Sequence, residues 1–343
     1  MKLADTSFYE ATRDWLTVHL PKHQRCSVNT IKSYKHTLNI FLDYLVDEKN
    51  IKIHKLSFTH FTADNIKDFL DWLHETRNIG ASTRNQRLMA LRAFAKYAAG
   101  RDVQNLFLQA ELVNVPKQKY EKTIVEFLSE DELKTLLIMP DRTTKLGLRD
   151  AFLMSLMYDA GARLSEVLNL KPVHFELEQG KPFVYLTGKG NKTRTVPIMN
   201  KTVQMFRKYC REFHAEPFNQ DDFLFYTIIH GIKHQLSPDA VQRFMRKYCE
   251  KAKRTCPSMP DNLHPHQLRH TRAIHLYRGG VPLSLVAEFL GHAQIATAQI
   301  YAYADTEMKR EAIRKIDASP DNTEEPAVWE NDREMIKRLY GLL

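Results

Sequence analysis

VHFELEQGKPFVYLTGKGNKTRTVPI, residues 173 to 198, is where the period of the chain changes. Three short runs rich in β-branched and aromatic residues are separated by EQGKP and GKGNK, which are turn compositions. The segment therefore predicts a small antiparallel sheet with a basic hairpin tip. GKGNKT is not a phosphate-binding P-loop: the G-x-x-x-x-G-K-[ST] order is missing and a strand follows, not a helix. On both sides the pattern is helical, and from residue 200 onward it is read as helical again. The expected fold is mostly α with one small antiparallel β-sheet, and no internal repeat is visible.

Working toward the N-terminus, LRDAFLMSLMYDAGARLSEVLNL reads as a long helix interrupted near Gly161. Before it, LSEDEL places Ser129 and Glu132 at capping-box spacing, opening a helix. The first hundred residues are helical too. Ile31, Tyr34, Leu38, Phe41, Leu42 and Leu45 recur at helical spacing, with Ser27 or Asn29 as the cap. Phe69, Leu70, Trp72 and Leu73 form another apolar stripe. In ASTRNQRLMALRAFAKYAAG, Leu88, Leu91, Phe94 and Tyr97 point inward, and the first turns carry Ser82, Thr83, Arg84, Asn85 and Arg87. Such groups at a helix start either grip phosphates or simply cap a solvated end. The segment from Val113 to Phe127 is polar, lysine-rich and contains Pro116, which suits a connector. The expected domains are residues 1–112, a linker at 113–126, a second domain at 127–318 and a tail at 319–343.

The bulk properties agree with this plan. A length of 343 residues suits two domains. Hydrophobic content of 43% and charged content of 27% describe an ordinary globular protein. The N-terminus has no secretory-signal pattern, and no run approaches the roughly 18 apolar residues of a membrane span. Cys26, Cys210, Cys249 and Cys256 form no C-x-x-C pair and read as reduced thiols of a cytoplasmic protein. Net charge is +9, and because residues 321–343 are acidic, residues 1–320 carry +12. A basic body points to a polyanion partner.

The candidates for chemistry lie in the second domain. LHPHQLRHTRAIHL holds His264, His266, His270 and His275, but no H-E-x-x-H and no cysteine pair, so no metal site is expected. His266 and His270 share a helix face, which supplies two ligands at most. Arg163 and Arg269 could clamp phosphate oxygens bidentately. GHAQIATAQIYAYAD, residues 291 to 305, offers Tyr301 and Tyr303 as nucleophiles, each needing a base because a phenol's pKa is about 10.

These segments, in this order, resemble the tyrosine recombinases, the family of phage integrases and chromosome-dimer resolution enzymes. SVNTIKSYKHTLNIFLDYL resembles their helical, SAM-like core-binding domain. MYDAGARLSEVLNL, LTGKGNKTRTVPI, HPHQLRHTRAIHL and LGHAQIATAQIY resemble the four catalytic segments. Arg269 to His292 spans 23 residues and His292 to Tyr301 spans nine, both usual for that family. The resemblance implies that Tyr301, not Tyr303, attacks a phosphodiester to form a 3′-phosphotyrosine. Arg163, Arg269 and His292 would hold the nonbridging oxygens, Lys189 would protonate the leaving 5′-oxygen, with Lys192 as its rival, and His266 would be the base. Glu166 would orient Arg163 or His266.

Expected DNA contacts are Lys32, Lys35, Ser82, Thr83, Arg84, Asn85, Arg87, Lys192, Arg194 and Arg272. Arg272 stands where the family often has an aromatic, and would either touch phosphate or alter packing near Arg269. The implied enzyme recombines paired sites in double-stranded DNA as a homotetramer, without cofactor, metal or ATP. The tail would regulate it by docking on a neighbouring subunit or in cis. The alternatives are a non-cutting DNA-binding accessory protein of the same fold and a metal-dependent hydrolase.

Overall fold

The computed structural model describes residues 6–119, 126–177, 180–188, 190–214, 217–219, 222–292, 294 and 297–304. Lys189 and the tail expected at 319–343 lie outside the described residues, as does the Tyr303 side chain. The chain divides into two compact units, residues 1–122 and 123–343.

In the first unit, α1 (Thr6–Asp14) runs into a wider helical turn over Trp15–His23. Then come α2 (Val28–Asp47), α3 (Ala63–Glu75), α4 (Ala81–Arg101) and α5 (Leu106–Val113). Ser27, not Asn29, caps α2, its hydroxyl accepting from the Thr30 amide at 3.1 Å. Thr62 does the same for α3 through the Asn65 amide. Helical periodicity carries Phe41, Phe69, Leu91 and Phe94 into one core, all fully buried. Phe41 meets Phe69 edge-on with ring centroids 5.1 Å apart, and Phe61 meets Phe94 at 5.2 Å. Truncating one such ring to alanine costs about 3–5 kcal/mol.

The second unit is built around α7 (Lys145–Asp159), apolar on nearly every side, with Phe152, Leu153, Met154, Leu156 and Met157 fully buried. α6 (Glu130–Ile138) packs on it and starts with the expected reciprocal cap between Ser129 and Glu132. After α7 the backbone turns at Gly161, where φ is +54°. A Cβ there would also sit 2.8 Å from Leu290 Cδ2. Only glycine fits both demands. The turn releases Arg163 and starts α8 (Leu164–Leu168).

The expected sheet follows, with β1 (Phe175–Glu176), β2 (Phe183–Thr187) and β3 (Thr193–Pro197) antiparallel in that order. Val184 pairs with Val196 and Leu186 with Arg194. Period-2 alternation therefore puts Arg194 on the face of buried Val196. α9 (Asn200–Phe213) returns the chain to helix. The expectation of helices alone beyond residue 200 is corrected by a second sheet, the hairpin β4 (Tyr226–Ile229) and β5 (Ile232–Gln235). His230 and Gly231 make its two-residue turn with φ of +49° and +79°, the geometry that matches strand twist. α10 (Pro238–Lys253), α11 (Pro265–Arg278), α12 (Leu283–Leu290) and α13 (Gln299–Ala304) complete the unit. Tyr301 of α13 packs in a small apolar cluster with Ala273 and Ile274 of α11 and Val286 and Leu290 of α12. The four cysteines, Cys26, Cys210, Cys249 and Cys256, form no disulfide with one another. Among the described residues no helix is long and apolar enough to cross a membrane.

Candidate active site

The site begins with a buried carboxylate. Glu166 lies one helical turn after Arg163 and is only 3% exposed. Its Oε2 accepts from the Arg163 backbone amide and its Oε1 from Arg163 Nη1, both at 2.8 Å. From β3, Arg194 donates Nη1 to Oε1 at 2.9 Å and Nη2 to Oε2 at 2.8 Å. Burial alone would raise the pKa of this carboxyl, but the bonds from Arg194 and Arg163 outweigh it and hold the group at about 2. Glu166 thus binds both the amide and the guanidinium of Arg163, whereas the sequence left Arg163 or His266 as its partner. Its partner on the hairpin is new.

Two glycines let the backbone close on this triad. At Gly188 an added Cβ would stand 3.0 Å from Glu166 Oε1, so the hairpin strand runs directly past the carboxylate. Gly291 ends α12 in the left-handed region, at φ +67°, and its missing side chain admits the Arg194 stem, whose Cδ would be 3.0 Å from a Cβ. Arg194 Nε also donates to the Phe289 carbonyl at 3.2 Å. One side chain therefore joins β3, α8 and the end of α12.

Arg269 performs a parallel task from α11. It is 1% exposed and donates Nη1 to the Gly161 carbonyl and Nη2 to the Leu290 carbonyl, each at 2.7 Å. Those carbonyls belong to the turn before Arg163 and the turn before His292. Burial, then the charge of Arg163, lowers its pKa to about 10, which leaves the guanidinium charged at neutral pH.

The aromatic wall stands beside these cations. Tyr301 is 1% exposed, and its ring lies nearly parallel to that of His292, 15° apart with centroids at 6.3 Å. Its hydroxyl is 3.1 Å from His270 Nδ1. The rings of His270 and His266 are 4.9 Å apart. Burial, followed by the charges of Arg269 and Arg163, lowers the His292 pKa to about 4, and its Nδ1 is buried without a partner among the described residues. His270 is also lowered to about 4, by burial and then by His266, Arg269 and His292. His266 presents an edge to solvent, yet packing around the rest of its ring, then Arg269 and Arg163, favours its neutral form. Burial raises the Tyr301 phenol, an effect that Arg269 and Arg163 oppose.

The structure thus brings together Arg163, Glu166, His266, Arg269, His292 and Tyr301, with Lys189 outside the described residues. Sequence reasoning missed His270 as the partner of the Tyr301 hydroxyl. The signal in the sequence is its position one helical turn from His266, a spacing that suits a pair of cooperating imidazoles as well as two metal ligands. Among the described residues no three His, Cys, Asp or Glu side chains are grouped to hold a metal ion. His275 is structural, bonded to the Tyr158 hydroxyl and the Leu128 carbonyl.

The residues expected on DNA divide in two. Lys32, Lys35, Ser82 and Lys192 are exposed, and Thr83 is half-buried. The others have partners inside their own unit. Arg84 pairs with Asp71 at 3.0 Å, and Arg87 donates to Thr37 Oγ1 at 2.9 Å. Asn85 clamps the backbone of Gln118 through its amide nitrogen and oxygen, both at 2.9 Å. Arg194 turns inward as described, and Arg272 lies over the rings of Tyr158 and Phe289 with Asp159 at 3.5 Å.

Known proteins are similar to this chain over both of its units. The profile of the phage integrase family matches residues 126–308, and that of the phage integrase N-terminal SAM-like domain matches residues 15–102. A putative integrase/recombinase, y4rC, of Sinorhizobium fredii is 31% identical over 297 residues, covering 86% of this chain and 87% of its own. The tyrosine recombinase XerC of Oceanobacillus iheyensis is 31% identical over 308 residues, covering 88% and 94%. Among solved structures, the XerH site-specific recombinase bound to its palindromic difH substrate shares the fold with a TM-score of 0.64 at 22% identity, covering 92% of this chain and 90% of its own. The Tn1549 transposon integrase in complex with transposon right-end DNA does so at 0.63 and 17%, covering 88% and 98%. With two matched domains in the expected order and relatives aligned along most of their length, the chain belongs to the phage integrase family, the tyrosine recombinases.

Proposed function

We propose that this chain is a site-specific DNA recombinase that cuts and rejoins strands through a 3′-phosphotyrosine at Tyr301. The observation that carries the reading is the Tyr301 hydroxyl, 3.1 Å from a histidine nitrogen and within the field of Arg163 and Arg269. A buried phenol is a poor nucleophile until its proton is taken, and a positioned base contributes about 10²–10⁴ in rate.

In this mechanism Arg163 and Arg269 stabilise the charge that grows on the nonbridging oxygens, and His292 adds a hydrogen bond through Nδ1, which has no partner among the described residues. Fixed cations in a water-poor site are worth more than the same charges in bulk solvent. A histidine of the His266–His270 pair takes the phenol proton. Lys189 of the hairpin gives a proton to the departing 5′-oxygen. The phosphotyrosine conserves the energy of the broken bond, so religation to a second strand requires neither ATP nor metal.

DNA contacts fall to the exposed Lys32, Lys35, Ser82 and Lys192, with residues 1–112 as the core DNA-binding domain, 113–126 the linker, 127–318 the catalytic domain and 319–343 the regulatory tail. The working assembly is a homotetramer on paired double-stranded sites, acting in the cytoplasm. Much of the site preference in such a complex rests on backbone contacts and DNA shape.

The test is incubation with a randomised library of nicked duplexes in EDTA, comparing wild type, Tyr301→Phe and Tyr303→Phe. Detergent-resistant adducts that only Tyr301→Phe removes are the expected result. Loss through Tyr303→Phe would move the nucleophile by two residues. DNA binding with no adduct would favour the non-cutting accessory protein, and activity abolished by EDTA a metal-dependent hydrolase.

A further inference from the structure

We infer that His270 is the catalytic residue that accepts the proton of Tyr301, through Nδ1. The inference rests on Tyr301 being the nucleophile and asks where its proton goes. At 1% exposure the phenol cannot hand a proton to bulk water, so the acceptor must be a protein group in contact with the hydroxyl. Among the described residues that group is His270, at 3.1 Å. His292 lies nearly parallel to the Tyr301 ring, a stacked arrangement. His266 touches the ring of His270 and keeps an edge in solvent.

Local structure explains the placement. His266 and His270 are four residues apart on α11, so both project from one face. Arg269 between them points elsewhere, tied to the Gly161 and Leu290 carbonyls. α13 packs against α11 beside Ala273 and Ile274, which brings the phenol down beside His270, one turn before them.

Electrostatics then times the transfer. In the free protein His270 is surrounded by His266, Arg269 and His292, which with burial keep it neutral and its Nδ1 lone pair available when Nε2 carries the hydrogen. A phosphodiester held by Arg163 and Arg269 brings a negative charge that offsets this repulsion, so the ring becomes more basic as the substrate arrives. In the step itself, the phenol oxygen forms the O–P bond as its proton passes to Nδ1. The P–O5′ bond breaks, and the 5′-oxygen leaves with a proton from the general acid of the proposed mechanism. In rejoining, the 5′-hydroxyl attacks phosphorus and the His270 imidazolium returns its proton to the tyrosine oxygen.

His270→Asn keeps an oxygen near the position of Nδ1 but cannot be protonated in the working range. The measurement is the single-turnover rate of adduct formation on a nicked duplex from pH 6 to 9, for wild type, His270→Asn and His270→Gln. Each is repeated with fluorinated tyrosines of lower phenol pKa at position 301. A slowing of about 10²–10⁴-fold at pH 7 is expected for both variants. Their rates should climb about tenfold per pH unit, because the phenol must now ionise unaided, and fluorination should restore a large part of the loss. Wild type should respond weakly to both. Calorimetry and DNA binding confirm that each variant is folded, and the wild-type fluorination series tests the inference without any change at 270. A slow variant with the wild-type pH and fluorination profile would make His270 merely structural and overturn the inference. So would an unchanged rate, or a faster one, which would mark the contact as a restraint on Tyr301. Absence of any adduct from wild type would instead overturn the assignment of Tyr301 itself.

Discussion

Replacing Glu166 by glutamine removes one charge and almost no volume from the catalytic unit. The carboxylate accepts four hydrogen bonds, two from Arg163 and two from Arg194. A glutamine amide presents a carbonyl on one side only, so its NH₂ must face arginine donors on the other. The cost follows from the depressed pKa: the fall from 4.5 to about 2, at 1.36 kcal/mol per pH unit, corresponds to about 3 kcal/mol. That agrees with the 3–5 kcal/mol typical of breaking a buried ion pair by removing one member. For a unit of this size each kcal/mol lowers Tm by roughly 2–4 °C, so a fall of about 6–12 °C is expected in differential scanning calorimetry at pH 7. The pH dependence is the sharper test. Because the folded carboxyl has the lower pKa, its contribution is complete above about 4.5 and disappears as pH falls toward 2. The gap between wild type and variant should therefore stay constant from pH 7 to about 5 and narrow below 4.5. A Tm within 2 °C of wild type at pH 7, or a gap indifferent to acid, would refute the reasoning.

Arg269→Lys should lose both structure and chemistry, because one ammonium cannot reach the Gly161 and Leu290 carbonyls together. One buried carbonyl left unpaired costs about 1–3 kcal/mol, and adduct formation should fall by about 10² with a lost preorganised donor; a wild-type rate would contradict this. Gly291→Ala forces a Cβ into the left-handed region and against the Arg194 stem, a strain of about 1–3 kcal/mol readable as a lowered Tm. Lys192→Ala and Arg194→Ala should separate cleanly in a salt titration of DNA binding. The exposed Lys192 should reduce the slope of log K against log salt by about 1, whereas Arg194→Ala should lower Tm and leave the slope alone; the reverse pattern would return Arg194 to the DNA.

Much of this molecule is local and so was legible in the chain. The Ser129–Glu132 cap, the break at Gly161 and the β2–β3 hairpin each depend on residues within a few positions of one another. The β4–β5 hairpin escaped because its turn is His-Gly, not one of the commoner Asn-Gly or Asp-Gly pairs, and its strands are four residues each. The inward turn of Arg194 was readable in principle from the alternation Thr193, Arg194, Thr195, Val196, but an arginine beside a basic tip looks like a DNA contact until its partner is known. The partners of Arg87 and Asn85 were hidden for the same reason: Thr37 and Gln118 lie 50 and 33 residues away.

The sequence by itself therefore determined most of the elements, the β4–β5 hairpin excepted, together with their order and the family resemblance, because capping, period and motif spacing act along the chain. Which charged groups meet in the interior was decided only by the tertiary structure. Glu166 finds Arg194 from 28 residues away, Arg272 finds Asp159 from 113, and Tyr301 finds His270 from 31. A helix face or strand parity says that a side chain points inward. A buried charge or phenol, however, is tolerated only where packing supplies its partner, and packing brings together residues that the chain keeps far apart.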